Sequence, residues 1–293
     1  MSFNKKHIAS LVVALILIWT FNFIYSMTYR LDKPLFLNHF IELSKGDSFY
    51  LNFVQDKYSK NKIEYIKIPG LENKIYFDAF TDESLQPFPI EDCLRYQDNY
   101  YNYYSVLIQY GDEINEIKNN KTINKIIYGL NNGEEYEADI GEIIIRNKDI
   151  DIINNDILES ISSFASSDGT KGQTYKINKE VLFQGVKTKD KNNLLDEYSF
   201  KINNKLISET SFPIILKKDD QLELETLFKE SKSDKGTFHK FYLELVFRDF
   251  SGNIYNIGVS VYPKTSLSNK WEFTPKDIKN FINLRGMKNG QTL

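Results

Sequence analysis

The sequence predicts a mainly β protein: an N-terminal transmembrane helix, two β-sandwich domains in succession and a short C-terminal helix. Three observations carry this. An uncharged apolar run extends from Ile8 to Met27, a series of short alternating segments rich in Val, Ile, Phe and Tyr follows, and full helix punctuation occurs near the C-terminus. With 293 residues, 41% hydrophobic and 14% aromatic, the chain can fill real cores. Its net charge of −3 lacks the basic surplus of a nucleic-acid binder, so no nucleic-acid partner is expected.

The run Ile8–Met27 would be about 30 Å long as a helix, matching the hydrocarbon core of a bilayer. Trp19, Phe21, Phe23 and Tyr25 crowd its C-terminal end, where amphipathic rings favour the headgroup layer, and are expected at the membrane interface. Lys5 and Lys6 precede the run, and Arg30 and Lys33 follow it. The expected topology is therefore a cytoplasmic N-terminus with the rest of the chain extracytoplasmic, on a modest charge bias. The competing reading is a cleaved signal peptide with h-region Ile8–Trp19, which would make the protein secreted; no A-x-A-like site follows it.

Residues 1–30 are thus read as cytoplasmic tip and signal-anchor, 31–165 as a first β-rich domain, 166–265 as a second sandwich and 266–293 as a tail. A connector containing Pro34 and His39 leads to Phe40–Phe53, a strand, a Lys-Gly-Asp turn and a strand. Ile63–Ile68 and Lys74–Phe80 are β-rich runs separated by turn residues, and Tyr100–Tyr110 reads as a strand. Asn131-Asn132-Gly133 is a strong hairpin signal between two further strands. Ile150, Ile153, Ile157, Ile161 and Phe164 then recur at three- and four-residue spacing, predicting one face of a short helix, and Ser166–Gly172 reads as a linker between domains. Beyond it strands succeed one another; in Phe241–Phe247 alternation sets Phe241, Leu243, Leu245 and Phe247 on one face, and Ser251-Gly252 turns the chain. Thr274 as N-cap, Pro275 at N1, Asp277 at N3 and Gly286 as the stop predict a helix over 275–285.

Two internal echoes stand out. Leu43–Leu51 overlays Leu216–Leu224 with Asp47 on Asp220, and Gly133 and Gly252 each precede a tyrosine by three residues, Tyr136 and Tyr255. Their spacings differ, so they do not define one repeat. The phrase FPIILKKDDQLELE followed by FYLELVFRDFSGNIY resembles the later strands of bacterial immunoglobulin-like modules. That resemblance implies immunoglobulin-like or related sandwiches and nothing about activity.

Catalytic signatures are missing: there is no G-x-S-x-G, P-loop, G-x-G-x-x-G or H-E-x-x-H, and no cofactor is expected. The histidines His7, His39 and His239 have no second His or Cys at metal-ligand spacing, and Cys93 is the one cysteine, read as a buried thiol. Asp149, Asp151, Asn154, Asn155 and Asp156 are oxygen-rich but lack the EF-hand spacing and are read as caps. The clearest binding candidate is Tyr96, Tyr100, Tyr101, Tyr103 and Tyr104. Alternation sends Tyr101 and Tyr103 to one face, and Tyr100, Asn102 and Tyr104 to the other, which is expected to be exposed and to meet an envelope protein or glycan. The functional expectation is a membrane-anchored, extracytoplasmic, non-catalytic binding or envelope-assembly module with the bilayer as one partner. The alternative is a membrane-tethered carbohydrate-active hydrolase using paired carboxylates, drawn from Asp78, Asp82, Glu83, Glu91 and Asp92.

Overall fold

Among the described residues, two α-helices, one short 3-10 helix (Ile207–Glu209) and three β-sheets account for the regular structure. The computed structural model describes residues 5–44, 47–69, 74–76, 93–109, 120–146, 156–166, 170–188, 198–228, 236–264 and 274–284. Helix α1 (Lys5–Met27) contains the run Ile8–Met27, of mean hydropathy 2.2, and none of that window is buried by the described residues. It is long and apolar enough to cross a membrane.

The first sheet has the order β1-β3-β7-β6, built from β1 (Leu35–Phe36), β3 (Ser48–Asp56), β7 (Tyr101–Gln109) and β6 (Leu94–Gln97). Part of a nine-stranded sheet faces it, in the order β2 (Asn38–Leu43), β9 (Glu135–Ile145), β8 (Lys121–Leu130), β4 (Ile63–Lys67), β5 (Lys74–Tyr76). Phe53, Tyr104, Ile126, Ile143 and their neighbours from both layers share one core. Each such side chain taken from water stabilises by about 1.5–3 kcal/mol.

The nine-stranded sheet continues through β17 (Thr237–Arg248), β12 (Val181–Thr188) and β15 (Ile214–Leu216), with β18 (Ile254–Lys264) also paired to β17. A third sheet covers this half: β10 (Leu158–Ala165), β11 (Lys171–Ile177), β16 (Gln221–Phe228), β13 (Tyr198–Ile202) and β14 (Lys205–Leu206), in that spatial order. Phe241, Leu243, Leu245 and Phe247 point into the second core, as their alternation predicts.

Strand β17 joins the halves. Along one edge it pairs in parallel with β2, from Thr237–Asn38 to Lys240–Ile41, and then antiparallel with β12 from Leu243 onward. Charges at this joint are buried or half-buried and paired: the buried Lys240 Nζ lies 2.8 Å from Asp47, the Tyr242 hydroxyl donates to Asp47, and Arg146 Nη2 lies 2.7 Å from Glu42.

Both echoes have structural counterparts. In each first-echo segment an aspartate carboxylate closes a turn between sheets: Ser44 N–H donates to Asp47 at 3.0 Å and Lys217 N–H to Asp220 at 2.7 Å. In the hairpins β8–β9 and β17–β18 the same bonds recur. Gly133 N–H donates to the Leu130 carbonyl at 2.9 Å and Gly252 N–H to that of Asp249 at 3.0 Å, and both glycines have positive φ.

Three local expectations are corrected. Ile157 to Phe164 do not form a helix face: β10 is a strand paired with β11, and Ile150 and Ile153 lie outside the described residues. A register shift between Ser160 and Ser162 breaks the two-residue period, and the strand is exposed beyond Leu158, so its apolar spacing imitates a helix. In the segment expected as a linker, Ser166–Gly172, Lys171 and Gly172 already belong to β11, and Ser166 N–H is bonded to the Thr170 carbonyl at 2.8 Å. The connector expected at 30–39 contains β1 and the start of β2, where His39 is fully buried. The C-terminal helix α2 (Pro275–Leu284) forms as predicted: Thr274 and Asp277 make reciprocal capping bonds, Thr274 N–H to Asp277 at 2.9 Å and Asp277 N–H to Thr274 Oγ1 at 3.3 Å. Arg285 and Gly286 lie outside the described residues.

Candidate functional site

Two surfaces are candidates for a functional site: the junction where α1 meets the sheets, and a groove in the second half of the molecule.

At the junction Tyr29, two residues past α1, stacks on Tyr100 with ring centroids 4.9 Å apart. Tyr25 and Tyr29 meet edge to face at 5.2 Å, and Lys279 of α2 lies 5.4 Å from the Tyr29 ring. Leu31 N–H reaches the Asp56 carboxylate at 3.4 Å. Asp98 organises the tyrosine segment by accepting the N–H groups of Tyr100 and Tyr101 at 2.6 and 2.7 Å and the Tyr103 hydroxyl at 2.8 Å. Burial, helped by the charge of Asp98, pushes the Tyr101 hydroxyl above the usual tyrosine range, and burial, helped by Tyr96, does the same to Tyr103. Both stay protonated, and the Tyr103 hydroxyl donates to Asp98.

Within β7 Tyr101 and Tyr103 alternate with Tyr104 as expected, but Tyr100, just before the strand, packs on the side of Tyr101 and Tyr103, and the expected exposure of the Tyr104 face is reversed. Tyr104 is buried in the first core, stacked on Phe53 at 4.8 Å, because the face carrying Asn102 turns toward the opposing sheet. Tyr101 and Tyr103 lie on the outer face, and Ile278, Phe281 and Ile282 of α2 pack over them in a third core. Tyr96 and Tyr100 are half-buried at its margin, Tyr96 stacked on Tyr103 at 3.9 Å. The structure therefore brings all five residues to one strand pair and its turn, and leaves two of them in partial contact with solvent. Trp19, Phe21, Phe23 and Tyr25 are all exposed on α1.

The groove has a volume of about 460 Å³ and is lined by β10, β11, β16 and β18. Cross-strand partners share a face. Ser163, Gln173 and Leu224 form one row, and Ala165, Lys171 and Thr226 the next. These rows continue the core face of the third sheet past Tyr175, at the end where polar residues replace apolar ones. Ser260 and Val261 of β18 form the opposite rim. Hydroxyl, amide and ammonium groups converging on one groove can hydrogen-bond a polyhydroxylated or anionic ligand. The sequence reading missed this site. Its only signal was the serine-rich Ser160–Ser163 segment beside Gly172-Gln173, which shows no pattern until two strands are paired.

Among the described residues no group of three His, Cys, Asp or Glu is arranged to hold a metal. Cys93 is buried, as expected. His39 donates from Nδ1 to the Ile140 carbonyl at 3.1 Å while Nε2 accepts the Asn52 N–H at 2.9 Å, which fixes a neutral structural imidazole. Asp78, Asp82, Glu83, Glu91 and Asp92 lie outside the described residues, as do Asp149, Asp151, Asn154 and Asn155.

No family model matches the chain, and no curated protein matches it. Among solved structures it is similar to the sialic-acid-binding region of a Streptococcus sanguinis adhesin bound to 3'sLn, with 11% identity, 78% of this chain and 76% of that one covered, and a TM-score of 0.21. It is also similar to the titin domains z1z2 in complex with telethonin, with 7% identity, 78% and 95% coverage and a TM-score of 0.20. At such TM-scores neither likeness bears on fold or ligand.

Proposed function

We propose that the chain is a single-pass membrane-anchored binding or envelope-assembly module, non-catalytic, with its N-terminus cytoplasmic and its β-region extracytoplasmic. The observation that carries this reading is an apolar helix of membrane-spanning length, unburied by the described residues and followed at once by Tyr29, which stacks on Tyr100 beside β7. The β-region is read as two immunoglobulin-like sandwiches divided between residues 146 and 156. The strand orders β1-β3-β7-β6 and β10-β11-β16-β13 support that division, since each follows the A-B-E-D order of such sandwiches, and β9-β8-β4 and β18-β17-β12 follow G-F-C. Tyr96 and Tyr100 are assigned to the membrane-proximal joint, and ligand contact to the groove of the second sandwich.

The ligand class that fits the groove best is an envelope glycan. Its polar lining offers donors and acceptors on both sheets, beside the apolar surfaces of Leu224 and Val261. The test is binding of detergent-solubilised full-length protein to isolated envelope polysaccharides, with Gln173→Leu and Lys171→Met as probes. Loss of a good hydrogen bond at each position predicts about tenfold weaker binding with an unchanged melting temperature. Absence of polysaccharide binding, or binding indifferent to both substitutions, would overturn the glycan assignment.

A further inference from the structure

We infer that α2 and the chain leaving α1 form a cationic rest for anionic lipid headgroups, which seats the β-region against the bilayer instead of leaving it on a loose tether. The inference depends on the membrane-anchor reading and adds the lipid chemistry of the contact.

Its basis is position. Tyr29 lies two residues, about 3 Å of helical rise, beyond the end of α1, so its ring sits at headgroup depth if α1 spans the membrane. Lys279 Nζ is 5.4 Å from that ring, which brings α2 to the same level although it arrives from the far end of the chain. Lys276, one turn earlier, is also exposed, and Arg30 adds a third exposed cation immediately after the anchor. Asp277 on α2 is occupied by the cap at Thr274, and Asp32 is the exposed counter-charge nearest Arg30 in sequence. The buried face of α2 is committed to the tyrosine core through Ile278, Phe281 and Ile282, so its lysines are held outward. Leu284 stands 69% exposed on the last turn, an apolar side chain suited to the interfacial layer. Cations held within a Debye length of an anionic surface are attracted by it, and that attraction is screened by salt.

The test is lysine footprinting with a water-soluble acetylating reagent on the full-length protein in nanodiscs, made of phosphatidylcholine alone or mixed equally with phosphatidylglycerol. Lys276 and Lys279 should react about threefold or more slowly in the phosphatidylglycerol discs, and the difference should vanish at about 0.5 M salt. Lys217 and Lys218, exposed on a turn of the second half, should react equally in both lipids. Equal rates for Lys276 and Lys279 in the two lipids, or a slowing shared by Lys217 and Lys218, would overturn the headgroup contact while leaving the anchor intact. A chain that elutes without a disc would overturn the anchor itself, and the inference with it.

Discussion

Gly141 in β9 has φ +88°, and an added Cβ would lie 2.5 Å from the His39 carbonyl oxygen and 2.7 Å from its nitrogen. Both neighbours are backbone, so they cannot rotate away. Gly141→Ala therefore combines left-handed strain with a clash at the parallel β2–β9 pairing, and should destabilise the protein by about 2–4 kcal/mol. A urea midpoint equal to that of the parent would contradict it. In sequence, Gly141 interrupts a strand of alternating Ile and Glu, which marks a bulge or close approach without naming the neighbour. The neighbour comes from a strand about a hundred residues earlier, through a parallel pairing that no local pattern records. The tyrosines show the same limit. The opposition of Tyr101 and Tyr103 to Tyr104 was legible from alternation, but Tyr100 lies outside the strand and escapes it, and the cover over Tyr101 and Tyr103 comes from α2, distant in the chain.

At the scale of elements, α2 was the best-punctuated segment and formed with the predicted start, because Thr274 and Asp277 satisfy the first turn locally. Its role was not legible. It closes the third core, with Phe281 against Tyr101, Tyr103 and the backbone at Gly236, where an added Cβ would strike the Phe281 ring. Phe281→Ala should cost about 3–5 kcal/mol and raise the solvent accessibility of Tyr101 and Tyr103, read by near-ultraviolet circular dichroism. A loss below about 1 kcal/mol with an unchanged tyrosine spectrum would show that α2 does not hold that core. Strand β10 illustrates the opposite case. An edge strand exposed on both faces and carrying a bulge has no reason to alternate, so its chance three- and four-residue spacing pointed to the wrong element.

For the whole molecule, the mainly β class and the leading apolar helix were readable because each rests on a repeated local signal. The route of the chain between sheets was not. Strand β17 serves both halves, and the ion pairs Lys240–Asp47 and Arg146–Glu42 tie β17, β2 and the segment after β9 into one joint. The Tyr29–Tyr100 stack adds a contact between the residues after α1 and the turn before β7.

The proposed function depends on the β-region lying on the extracytoplasmic side of a membrane spanned by α1. The direct measurement is protease digestion of intact spheroplasts expressing the chain with an epitope at each terminus, beside a cytoplasmic control protein. The account predicts that the C-terminal epitope is lost from intact spheroplasts while the N-terminal epitope and the control persist until lysis. A C-terminal epitope that survives in intact spheroplasts and disappears only on lysis would contradict it.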